Sequence, residues 1–306
     1  MRKFVGVLSL FSQATDLKQE ALIFDRIAIP EIENLLYRVG EAINKGLLQP
    51  SPNNLLPDLI WLIERGIVFQ PSELVADERL TLNADFRNYL ELESYYENEM
   101  KRALLDTNDD IFTRLNRSDD YRWKAHEFFV RRVSVQLRLL NNLDAYPILP
   151  TELSVIQETP ATRQEILQIV LTSLPIPDGS VSWEQIIDYR SDPDSQKKFL
   201  ALRKWISEVA RGQLTPLEVE EKLEWLISQY EEHLDFHKIK RKKGIMQIAI
   251  VASLEIMEDM LRFQWGKIAK ALFFLKHQRL ALMEEEIKAP GKELAYIIKT
   301  RNQFSE

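Results

Sequence analysis

Glycine is scarce in this chain, and its placement limits the folds and chemistries open to it. Nine glycines in 306 residues is about 3%, against roughly 7% in an average protein. The two nearest, Gly40 and Gly46, stand six residues apart. No Gly-x-Gly occurs, and no glycine precedes Lys-Ser or Lys-Thr. Dinucleotide fingerprints, kinase loops and Walker-type loops need glycine, because backbone amides must approach phosphate without a Cβ in the way. The common nucleotide chemistries are excluded on that ground.

The length admits one large domain or two. With 45% hydrophobic and 28% charged residues, the chain has the composition of a globular protein. It contains no cysteine, which removes disulfides, thiolate metal sites and cysteine nucleophiles and fits a reducing compartment. Met1-Arg2-Lys3 followed by Phe4 to Leu8 reads as a buried strand, since Ser9, Gln13, Thr15 and Asp16 interrupt the apolar run too early for a signal peptide. The best membrane candidate, Ile245 to Met257, is broken by Gln247, Ser253 and Glu255, short of the roughly 20 apolar residues that spanning requires. A soluble, cytoplasmic protein with no membrane partner is expected.

The net charge of −7 conceals a polarity along the chain. Glu73 to Asp110 carries eleven acidic and four basic residues, net −7, whereas Phe236 to Glu306 carries fourteen basic and eight acidic, net +6. Such asymmetry suits an acidic partner for the C-terminal part, or attraction between the two halves.

The N-terminal part reads as mixed α/β. Phe4 to Leu10 and Ala21 to Ile29 are strand-like, Pro30 stops the second, and the polar segment between them is long enough for a helical crossover. Pro57 to Arg65 reads as a helix closed by Gly66, Ile67 to Phe69 as a third strand, and Tyr146 to Leu149 as a fourth. The acidic region between them carries Phe86, Tyr89, Tyr95, Tyr96 and Phe112 and reads as helices. Asp119-Asp120 precede a further helix to about Asn142, with Trp123, Phe128, Val135 and Leu139 on its buried side. Pro147, Pro150 and Pro160 then mark a domain boundary.

Helix starts are clearest after that boundary. Ser182 with Gln185 forms a capping box, Asp192-Pro193 opens a helix to about Ala210, and Thr215-Pro216-Leu217-Glu218 combines cap, first-turn proline and glutamate. Val219, Leu223, Leu226, Tyr230 and Leu234 continue it as one apolar stripe. Gly244 separates this helix from a long one, about Ile245 to Lys288, which Pro290-Gly291 end. The expectation is an α+β protein, predominantly α-helical, with a small N-terminal parallel or mixed sheet and a long C-terminal helical hairpin. Residues 1–150 form a mixed α/β domain with an acidic helical insertion, and 151–306 form a helical domain.

Three segments carry a resemblance: Phe24-Asp25-Arg26-Ile27-Ala28-Ile29-Pro30, Leu174-Pro175-Ile176-Pro177-Asp178, and Tyr189-Arg190-Ser191-Asp192-Pro193-Asp194-Ser195. Together they resemble a bacterial family known only as a domain of unknown function, over most of the chain. The resemblance implies a bacterial cytoplasmic protein and supplies no activity, cofactor or catalytic residue.

Four constellations carry chemistry. His233 and His237 share a helix face and suit a metal, but Leu234 stands where the zinc-protease pattern needs glutamate; both also continue the apolar stripe. Lys238, Lys240, Arg241, Lys242 and Lys243, with Lys267, Lys270, Lys276 and Arg279 on the next helix, offer a basic surface over 237–279 that suits a phosphate backbone. A solvated helix end explains them too. Arg190, Asp192, Asp194 and Arg203 form a polar cluster that suits acid–base work, or a helix cap with ion pairs. The pairs Asp109-Asp110 and Asp119-Asp120 and the triplet Glu284-Glu285-Glu286 point different ways on a helix, which leaves Asp25 as the acidic residue to watch. No Gly-x-Ser-x-Gly elbow occurs. No catalytic residue is nominated and no cofactor is expected. The first functional reading is a non-catalytic bacterial interaction or regulatory protein that acts through its C-terminal helical region on a protein partner or on itself. A nucleic-acid-associated protein is second and a metal-dependent enzyme third.

Overall fold

The computed structural model describes residues 2–8, 17–30, 32–45, 55–71, 77–106, 109–149, 160–235 and 288–304. The chain divides into two compact units, Met1–Val155 with Gly179–Ile186, and Ile156–Asp178 with Ile187–Glu306. It is predominantly helical and carries a small parallel sheet, the architecture expected from the sequence.

In the first unit, β1 (Phe4–Val7), β2 (Arg26–Ala28), β3 (Val68–Phe69) and β4 (Asp144–Pro147) form a sheet in the order β3-β2-β1-β4. Every pairing is parallel. Phe4, Val5, Val7, Ile27, Ala28 and Ala145 are all buried, as a parallel sheet covered on both faces requires. Parallel neighbours need a crossover, and α1 (Leu17–Ile23) supplies it between β1 and β2. That corrects the second expected strand: Ala21 to Ile23 belong to the helix, and only Arg26–Ala28 pair in the sheet. Helix α2 (Ile32–Asn44) follows, then α3 (Leu55–Glu64), after which Gly66 takes the left-handed backbone (φ 67) that turns the chain into β3.

Three helices separate β3 from β4: α4 (Glu78–Leu82), α5 (Ala84–Leu105) and α6 (Ile111–Leu140). Helix α6 does not begin after Asp119-Asp120. Asp110 starts it, because its Oδ1 accepts from the amides of Phe112 and Thr113 at 2.9 and 3.1 Å, and Asp119 instead pairs with Arg122 one turn on. Its buried side agrees with the expected one only in part: Val135 is buried as expected, and a second buried stripe faces the sheet. Val130, Val133 and Leu137 pack on Val5, Val7, Ala28 and Ala145 of the sheet. Trp123 and Phe128 are half-buried and Leu139 is exposed.

In the second unit the local starts form as their residues dictate. Helix α7 (Arg163–Thr172) opens with a capping box of Thr162 and Glu165. Helix α8 (Trp183–Ser191) begins in the first unit, where the Ser182 amide donates to Gln185 Oε1 at 2.8 Å and the Gln185 amide donates to Ser182 Oγ at 3.3 Å. Helix α9 (Pro193–Val209) carries Asp192 as cap and proline in its first turn. A helix over 216–235 starts on the reciprocal bonds of Thr215 and Glu218, and it buries Val219, Leu223, Ile227 and Tyr230. It is the first helix of the expected C-terminal hairpin; the second lies outside the described residues. Gly291 adopts φ 74, and a Cβ there would collide with the Leu226 carbonyl, so the segment leading to the C-terminal helix (Ala295–Phe304) lies directly on the 216–235 helix.

Candidate interaction surface

Helices α5 and α6 form an antiparallel hairpin whose two ends are built differently. The inward stripe of α5 is Phe86, Tyr89, Glu93, Tyr96, Met100 and Ala103, and that of α6 is Ser118, Tyr121, Ala125, Phe128, Arg132 and Val135, each alternating steps of three and four. At the base, Leu80, Phe86 and Val135 form a buried cluster. Arg132, buried, donates from Nε to Glu93 Oε2 at 2.6 Å and from Nη2 to Glu93 Oε1 at 3.0 Å. The fork matches the carboxylate plane, the geometry that lets an ion pair survive burial. Further along, Tyr96 stacks on Phe128 with centroids 5.6 Å apart, and Lys124 caps the outer side of the Tyr96 ring.

Past this ladder the hairpin thins. Between Tyr95 and Leu105 on α5, and between Ile111 and Lys124 on α6, only Ala103 and Ser118 are buried. These small side chains fill little space, Tyr96, Met100 and Tyr121 are only half-buried on the inward stripes, and five large apolar side chains face outward. Leu104 is 41% exposed, Leu105 79%, Ile111 58%, Phe112 76% and Leu115 48%. They occupy the last turn of α5 and the first two turns of α6, so the hairpin topology gathers them at one tip. Several of the charges beside them are engaged within the hairpin. Arg102 pairs with Glu99, Arg117 reaches Asp109 at 2.6 Å and Asp106 at 3.7 Å, and Asp110 accepts from Thr113, whose hydroxyl and amide hold its carboxyl below the usual range. The tip is an apolar knob with a charged rim that includes these pairs.

Of the polar cluster expected around Asp192, the two aspartates come together in the second unit on a shared lysine. Asp192 accepts from the Ser195 amide at 2.9 Å and from its hydroxyl at 3.0 Å, and Lys299 of the C-terminal helix donates to both Asp192 and Asp194. Lys299 and the cap hold Asp192 far below the usual carboxylate range. At Asp194 burial opposes the charge, but Lys198 and Lys299 outweigh it and lower its pKa. Desolvation likewise disfavours charged Lys299, and the two carboxylates outweigh that and raise its pKa. Arg190 and Arg203 each approach the Phe199 ring at 5.9 Å. Beneath them Tyr189 shares a 2.7 Å hydrogen bond with Thr300 and packs on Tyr296 and Phe304; burial pushes its phenol up to about 12. The arrangement fastens the C-terminal helix to the start of α9, and Lys299, Thr300 and Tyr189 were not singled out from sequence because their contacts span more than a hundred residues.

His233 is half-buried near the described end of the 216–235 helix, and His237 lies outside the described residues. Among the described residues no three His, Asp or Glu side chains converge as metal ligands. Lys238, Lys240, Arg241, Lys242, Lys243, Lys267 and Lys270 also lie outside them. Asp25 sits at the start of β2, where its Oδ2 accepts from the Phe4 amide at 2.7 Å and ties the two strand starts together. No described helix is long and apolar enough to cross a membrane. Of the tip residues only Phe112 was named from sequence, as part of the acidic aromatic region; the others have one signal, Leu104-Leu105 and Ile111-Phe112 flanking an aspartate-rich stretch. No protein-family model, curated protein or solved structure matches the chain.

Proposed function

We propose that this protein is a non-catalytic interaction protein whose α5–α6 hairpin presents an apolar knob to another protein surface. One observation carries the reading: five large apolar side chains, 41–79% exposed, share a single tip. Their exposed area is on the order of 500 Å², at the upper end of the largest patch on an ordinary monomer. Covering it is worth on the order of 10 kcal/mol gross, which suits the apolar centre of a wider contact rather than a whole interface. The apolar character of these five side chains favours a protein contact over a phosphate backbone, which is bound chiefly through cations. Among its described residues the C-terminal region has exposed Ile176, Leu200, Leu217 and Trp225, which belong to three separate segments, and Leu217 and Trp225 lie about 12 Å apart along one helix.

A photo-crosslinking residue in place of Phe112 tests this. In extract of the native cell it is expected to give a discrete protein adduct, competed by excess unlabelled protein but not by the Leu105→Ser, Phe112→Ser double variant. An adduct pattern that neither competitor changes overturns the proposal.

A further inference from the structure

We propose that the partner covering this tip pairs a carboxylate with Arg114, so that the knob takes an apolar protein segment carrying an aspartate or a glutamate. This rests on the reading of the tip as an interaction surface and names the chemistry of what fills it.

Arg114 continues the inward stripe of α6 towards the tip, four residues before Ser118, and is half-buried. It stands three residues after Ile111 and next to Leu115. Side chains three apart are neighbours on a helix surface, with Cβ atoms about 5–6 Å apart. Its surroundings set it apart from the other arginines of the tip. Arg102 is paired with Glu99, Arg117 with Asp106 and Asp109, and Arg122 with Asp119. Among the described residues Arg114 has no ion pair, no side-chain hydrogen bond and no aromatic ring against it. Its Nε is closed off from water with no acceptor, and the Oγ of buried Ser118, one turn on, has no partner either. The described part of the hairpin leaves this guanidinium to water alone.

Covering the knob removes that water. A surface seated on Ile111 and Leu115 also shields Arg114, whose guanidinium does not shed its proton. A wholly apolar partner would bury the charge with nothing to compensate it, which is strongly unfavourable. A carboxylate lifts the penalty, because the planar fork donates two parallel hydrogen bonds to its two oxygens. An arginine set beside large apolar side chains also has the make-up of an interface anchor. A phosphate would answer the charge and leave the apolar side chains in water. Lys101 imposes no such demand, since it is exposed and its long stem lets the ammonium stay in water at the rim.

The probe is a displayed library of random peptides, selected on the full chain against the Leu105→Ser, Phe112→Ser double variant. Enriched peptides are expected to combine large apolar residues with an aspartate or glutamate, and labelled synthetic copies then give affinities by fluorescence anisotropy. Arg114→Met in the chain, or replacement of the peptide's carboxylate by the matching amide, is expected to weaken binding about thirtyfold or more. The two changes together should weaken it little further than either alone, as for groups that bind each other. Arg114→Glu should weaken it as well, and a peptide with lysine in place of its carboxylate should recover much of that loss. Arg114 has no side-chain bond to lose within the described fold, so these variants are expected to keep the parent's thermal midpoint. Binding that Arg114→Met leaves unchanged, but the double variant abolishes, overturns the carboxylate pairing and leaves the interaction reading standing. Enrichment no greater on the parent than on the double variant overturns the pairing too, and the Phe112 crosslinker then decides the interaction reading by itself.

Discussion

The base and the tip of the α5–α6 hairpin are made of similar side chains and treat them in opposite ways. At the base, Phe86 and Val135 are buried with Leu80 of α4, and α6 also lies on the sheet through Val130, Val133 and Leu137. At the tip, Leu105 and Phe112 stand more than three-quarters exposed. The number of walls makes the difference. Two helices cover one narrow stripe of each other, and an apolar face wider than that stripe needs a third element. The base has the sheet and α4 as that element. Among the described residues the tip has none.

The largest test of this contrast is at the base. Glu93→Leu strands the buried Arg132 guanidinium and is expected to cost about 3–5 kcal/mol, while Glu93→Leu with Arg132→Met recovers most of the loss because no lone charge remains. Phe86→Ala is expected to cost a similar ~3–5 kcal/mol by opening a cavity in the Leu80–Val135 cluster. Urea midpoints at constant slope measure both. A Glu93→Leu protein as stable as the parent would mean that the base is open to water and no different in kind from the tip.

These contrasts were unevenly legible in the sequence. The caps at Ser182, Asp192 and Thr215 could be read because donor and acceptor lie within three residues, and their hydrogen bonds form as spaced. The sheet was legible in outline, because strands buried on both faces are continuous apolar runs. The crossover was misplaced because Ala21 to Ile23 suit either a strand or a helix until β1 demands a parallel neighbour. The buried side of α6 was read only in part, at Val135 and Phe128, for the reason that separates base from tip: a helix between two walls has two buried stripes, and periodicity alone does not say which wall each one meets. Lys299 joining Asp192 and Asp194 was out of reach, since it depends on how the chain returns after more than a hundred residues.

That lysine gives an intermediate test, because the cap at α9 is braced from outside its helix whereas the cap at the tip is not. Asp110 is held by Phe112 and Thr113 of its own helix, and Asp192 by Ser195 and also by Lys299. Asp192→Ala is therefore expected to lower Tm more than Asp110→Ala, with a drop on the order of 4 °C. The same brace predicts a pH dependence. The Tyr189 phenol is raised from 10.0 to about 12 by burial, so its neutral form stabilises the fold fully below pH 10, and that contribution is lost as pH rises towards 12. Tyrosinate absorbance and circular dichroism are expected to change together in that window, and Tyr189→Phe to remove the linked step. Loss of structure at the same alkaline pH in both proteins would sever the phenol from the brace.

The smallest effect is expected where the exposed area is largest. Leu105→Ser and Phe112→Ser should change the unfolding free energy by no more than about 0.5 kcal/mol in dilute protein, because neither side chain leaves water when one chain folds. With a partner present the parent should gain stability as concentration rises, since anything that binds only the folded form stabilises it by mass action, and these substitutions should remove that gain. A cost above ~1 kcal/mol that is independent of concentration would place both side chains inside the folded monomer and make the tip a second base. A cost that appears only at high concentration separates the two ends as drawn: one buried by the fold itself, the other by association.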